Sequence, residues 1–178
     1  MKSRSWGCRF AGCVLLCPLA LLAQSGAKAS DAGAAFSAKQ SAFQKSGSDA
    51  LRRERARSKT DLCAAAAAKN GNAGLGACLV KEEKTTEENY TAYIRAIGGL
   101  LRLSAPDDRG ESVQVQPGRL SFDNAEDAWR SYREQSCKSM ATQWEGGDQA
   151  QVAYPNCILK LTWNHMKELA DLYGDLWH

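Results

Sequence analysis

Apolar residues recur along the chain at the three- and four-residue steps of amphipathic helices, most clearly between Leu120 and Tyr173. Trp129, Tyr132, Cys137, Met140 and Trp144 follow that spacing closely enough to mark one face of a helix. Beyond a short polar connection, Ile158, Thr162, His165, Leu169, Leu172 and Leu176 mark a second face. A connection of this size joins two helices as an antiparallel pair. Upstream, Tyr90, Tyr93, Ile94, Ile97, Leu100 and Leu101 predict the buried side of a helix running from near Leu75 to about Leu103. Asp61 to Lys69, with five consecutive alanines after Cys63, is a strong helix former that Asn70-Gly71-Asn72 should stop. Ser104 to Arg119, with two prolines and two glycines, reads as a surface connection. Pro155 is expected in the first turn of the last helix, where its missing N–H is harmless. The pattern predicts an all-α domain, a small bundle of about four helices built from two helical hairpins.

The N-terminal sixty residues look different. Met1 to Ala29 has a basic start (Lys2, Arg4, Arg9), an apolar run from Phe10 to Ala23 and small residues at Ala27-Lys28-Ala29, the three parts of a secretory signal. Pro18 and the shortness of the run argue against a membrane span, which needs roughly 20 apolar residues. Cys13 precedes most of the apolar run and Cys17 follows the large Leu16, so lipid anchoring is the weaker reading. Residues 30–60 form a basic arm, expected to be partly disordered. Phe36 and Phe43 share a helical face, Ser46-Gly47-Ser48 interrupts it, and Asp49 can cap a short basic helix through Arg57. The stretch LRRERAR reads as a solvated linker in preference to a nucleic-acid or lipid contact. The expected domain is residues 61–178.

Charge and cysteines fit export. Without the signal the chain falls from +3 to −1. Residues 61–178 hold twelve basic and seventeen acidic residues, a net −5, which suits a basic partner as well as simple solubility. Seven cysteines become four: Cys63, Cys78, Cys137 and Cys157. An even count in an exported domain implies disulfides, and four cysteines allow three pairings. Cys63–Cys78 with Cys137–Cys157 is favoured, because each closes a local unit. No C-x-x-C occurs and His165 and His178 are the only histidines, which disfavours a zinc site.

Ala128, Trp129, Tyr132, Arg133 and Cys137, followed by Cys157, Leu161, Thr162 and Leu169, give the pattern A-W-x-x-Y-R-x-x-x-C, then C-x-x-x-L-T with a leucine-rich end. This resembles the LprI-type lysozyme inhibitor family of small bacterial envelope domains, over about Cys63 to Tyr173. His165 stands where the family usually has arginine. The resemblance implies one continuous helix through Thr85-Thr86-Glu87-Glu88, although those residues have the form of a capping box. It also implies an exported, periplasmic or secreted, protein-binding module that occludes a lysozyme without covalent chemistry. The alternative is a non-inhibitory envelope module with another protein partner.

Catalytic signatures are missing: there is no nucleophile elbow, phosphate-cradling glycine loop or HExxH. No cofactor, metal or nucleic-acid partner is expected. Trp129, Tyr132 and Arg133, with Leu161 and Thr162, read as packing residues ahead of a recognition patch. Asp107, Asp108 and Glu111 are the acidic residues proposed to meet a partner.

Overall fold

The protein is described by a computed structural model covering residues 20–103, 117–147 and 149–177. Four helices run in order, α1 Ala20–Arg57, α2 Ala64–Leu100, α3 Pro117–Thr142 and α4 Ala150–Leu172, followed by a 3-10 turn at Gly174–Trp177. No strand occurs among the described residues. Packing follows the sequence α1 on α2, α2 on α4, and α4 on α3, while α2 and α3 touch only sparingly. The core draws on every helix: Ala50 from α1, Tyr90, Tyr93 and Ile97 from α2, Phe122 from α3, and Met166 and Leu169 from α4. Each large side chain of that set contributes about 1.5–3 kcal/mol when fully removed from water.

The alanine-rich stretch and the long helix form one unit. Helical backbone is lost within Ala64–Leu100 only at Asn70 and Gly71, where Gly71 takes φ +57°. That left-handed geometry suits glycine, which has no Cβ to clash. The Cα atoms of Cys63 and Cys78 are 5.7 Å apart across a separation of 15 residues. A straight helix would hold them roughly 22 Å apart at 1.5 Å per residue. The alanine segment therefore folds back on α2, and the disulfide clips it there. The second disulfide, Cys137–Cys157, joins α3 to the start of α4.

The N-terminal arm is part of the same core. Ser46-Gly47-Ser48 lies inside α1 without interrupting it, and Asp49 is mid-helix, paired with Lys45 at 2.8 Å and Arg52 at 2.7 Å. It is not a cap. Gly47 is there for closeness: a Cβ at that position would lie 2.6 Å from Trp177 Cζ3 and 2.9 Å from Ala96 Cβ. Ala50 and Glu54 are buried one and two turns further along, so the expectation of a solvated linker fails at that face.

Three other expectations shift. Pro155 lies one turn deeper than anticipated, because α4 begins at Ala150. Pro155 has no N–H to give the carbonyl of Gln151, and that carbonyl faces Gly76 of α2 closely enough that a Cβ there would come within 2.8 Å of its oxygen. Tyr132 is 60 % exposed because it falls outside the α3 arc centred on Phe122, Glu126, Arg133 and Cys137, and Trp144 is 49 % exposed because α3 ends at Thr142 and leaves it in the turn that follows. Leu172 is exposed at the last residue of α4, and Leu176 belongs to the 3-10 turn.

The notch at Gly47 makes a direct prediction. Gly47→Val should lower stability by about 1–3 kcal/mol through overpacking against Trp177 and Ala96, seen as a lower urea midpoint at unchanged slope.

Candidate functional site

The residues of the cysteine-flanked motif converge on a seam where α2, α3 and α4 meet. Trp129 stacks on His165 with ring centroids 3.9 Å apart and an 11° interplanar angle, and its other neighbour is Tyr90 at 5.3 Å. Arg133 donates from Nη1 to Glu87 Oε2 and to Thr162 Oγ1, both at 2.8 Å. Its guanidinium also sits 5.0 Å from the Trp129 ring centroid, a cation–π distance. One side chain thus grips all three helices. Leu161 is half-buried and Thr162 fully buried. Ala128 and Tyr132 are the motif residues that stay outside.

Beneath Trp129 lies a buried carboxylate. Glu126, 4 % exposed, accepts the Tyr90 hydroxyl at Oε2 (2.5 Å), and His165 Nε2 stands 3.0 Å from Oε1. The other imidazole nitrogen is 3.4 Å from Glu168. Burial, reinforced by the Glu126 carboxylate, pushes the Tyr90 hydroxyl well above the ordinary tyrosine range. Tyr93 is also raised, to about 12, mainly by burial. Its hydroxyl lies near the Trp177 indole, but neither group attains a hydrogen bond. The arrangement ties α2, α3 and α4 together, with Glu126 and His165 buried against the Tyr90 and Trp129 rings.

A second polar cluster was missed in the sequence. Glu54 of α1 is buried and accepts from Thr86 Oγ1 (2.6 Å) and Asn89 Nδ2 (2.8 Å), both on α2. Arg57 Nε lies 3.3 Å from Glu54, and its Nη2 donates to Glu82 at 2.6 Å. A signal was available: Phe43, Gly47, Ala50, Glu54 and Arg57 continue one stripe at helical steps, with charge replacing hydrophobicity near its end. Thr86, read as part of a capping box, uses its hydroxyl on Glu54 instead.

Glu54, Arg57 and Glu82 form one wall of an open cleft of about 400 Å³. The connection after α1 supplies Thr60, Asp61 and Leu62, α2 supplies Leu75 and Leu79, and α4 supplies Asn156, Leu159, Lys160 and Trp163. The size is that of ordinary ligand pockets. Asp107, Asp108 and Glu111, the acidic residues expected to meet a partner, lie outside the described residues. Among the described residues no group of three His, Cys, Asp or Glu converges as metal ligands, and no helix is long and apolar enough to cross a membrane.

The family model described as "Lysozyme inhibitor LprI" matches residues 63–169. No curated protein and no solved structure matches the chain.

Removing the Glu126 carboxylate should show what the seam contributes. Glu126→Ala strands the Tyr90 hydroxyl and His165, and should cost about 2–4 kcal/mol in denaturant unfolding. Tyr132→Ala, on the exposed side of the same helix, should change stability by no more than about 0.5 kcal/mol. The raised tyrosines also fix an alkaline response. Above roughly pH 10 the unfolded chain releases tyrosine protons that the folded chain keeps. The unfolded state then binds fewer protons, so stability falls as pH rises from there toward 12. Tyr93→Phe removes a buried hydroxyl that has no partner, so it should not lower neutral stability, and it should make that alkaline fall shallower, as read by denaturation at neutral and at alkaline pH.

Proposed function

The chain belongs to the LprI lysozyme inhibitor family, and on that premise we propose that it is an exported, non-catalytic protein-binding module that inhibits a lysozyme by occluding its cleft. The match over residues 63–169 carries this reading. Two observations support it. Buried Glu54, Tyr90, Glu126 and His165 are engaged in holding helices together, and two disulfides brace the scaffold, as suits a domain working outside the reducing cytosol.

Export follows the same proposal. Cleavage after Ala29 removes the four basic residues of the leader. It leaves the packed part of α1, from Phe43 through Arg57, intact. The acidic balance of residues 61–178 then faces a basic enzyme, a pairing that accelerates encounter and weakens with salt.

Turbidity assays of lysozyme acting on a cell-wall suspension test the proposal. Purified protein should slow lysis in a dose-dependent, saturable manner, and added salt should relieve the inhibition. Undiminished lysis at large molar excess would reject the inhibitor reading. Recovery of a different stable partner from envelope extract would then assign the chain to a non-inhibitory module.

A further inference from the structure

We propose that the 400 Å³ cleft between the end of α1, the connection after it, α2 and α4 is the docking pocket for one cationic side chain, arginine or lysine, of the protein partner. That the partner is a lysozyme rests on the preceding reading; the preference of the pocket for a cation does not.

The charge arrangement points one way. Three carboxylates, Glu54, Asp61 and Glu82, line the cleft, against two cations, Arg57 and Lys160. Arg57 is already shared between Glu54 and Glu82. An entering anion would have to pull that guanidinium from both carboxylates while approaching all three. An entering cation meets a carboxylate excess and relieves the shortage of positive charge. Lys160 is exposed on a flexible stem at the α4 edge, where it can swing to solvent.

The apolar part of the cleft matches the rest of such a side chain. Arginine and lysine carry an aliphatic stem that buries along apolar surface while the head finds charge. Leu62, Leu79 and Leu159 supply that surface, and Trp163, half-buried in the wall, adds an aromatic ring able to receive a cation. Leu62, 45 % exposed, is a large apolar side chain beside the clipped disulfide, with no core role. Arginine anchors in such pockets are common centres of binding energy at protein interfaces.

The pocket is tested by titrating the purified protein with N-acetyl-arginine amide and following the Trp163 indole N–H resonance, assigned with Trp163→Phe. The expected result is a saturable shift with the arginine probe, absent with the uncharged N-acetyl-citrulline amide and with N-acetyl-glutamate amide. Glu82→Gln keeps an acceptor for Arg57 and should weaken the probe about tenfold. Asp61→Asn, at an exposed residue, should weaken it in the same direction without disturbing the fold. In the turbidity assay both variants should need more protein for equal inhibition. No shift with the arginine probe, an equal shift with citrulline, or undiminished inhibition by both variants would overturn the proposal. Saturable arginine binding by a protein that leaves lysozyme untouched would retain the pocket and dismiss lysozyme as its partner.

Discussion

α3 reaches α2 through polar side chains, and the register of α3 against the rest of the bundle depends on that reach. The two helices share few direct contacts, so no broad apolar interface holds them. Instead Glu126 takes the Tyr90 hydroxyl, Arg133 takes Glu87, and Trp129 lies against the Tyr90 ring. The same three α3 residues engage α4 through His165 and Thr162. Buried charge is costly to desolvate and adds little net stability over an apolar substitute. What it supplies here is register: a slide of α3 by one residue would break all these contacts together, whereas leucines would tolerate the slip.

The disulfides complement this arrangement at points the polar seam does not cover. Cys137–Cys157 secures the far end of α3 and α4, beyond Arg133. Cys63–Cys78 secures the folded-back alanine segment, whose small exposed side chains have little apolar area to bury. The cleft also owes its shape to the clip, since Cys63 and the neighbouring Leu62 belong to its wall.

Helical periodicity made much of the fold legible. Tyr90, Tyr93 and Ile97 are buried as their spacing requires, and the reversal at Asn70-Gly71 follows from residues that accept left-handed backbone. The pairing of cysteines followed from locality. Legibility ended where chemistry and periodicity disagreed. Glu54 and Arg57 occupy core-facing steps but carry charge, so they read as solvent-exposed; partners more than twenty residues away on α2 make their burial tolerable. Tyr132 shows the reverse error, an aromatic placed at almost the right step, yet rotated off the buried arc. The cleft was illegible for a related reason. Its walls come from four separate stretches, and no local pattern brings Asp61, Glu82 and Trp163 to one place.

Gly47 and Trp177 stand near opposite ends of the described chain, yet the indole fills the glycine notch and Gln44 donates to the carbonyl of Leu176 across 132 residues. A polypeptide emerging N-terminus first thus carries an open groove on α1 until the segment around Leu176 and Trp177 has followed it out. That segment acts as a keystone, and a ribosome or translocon still holding it keeps the structure unlocked.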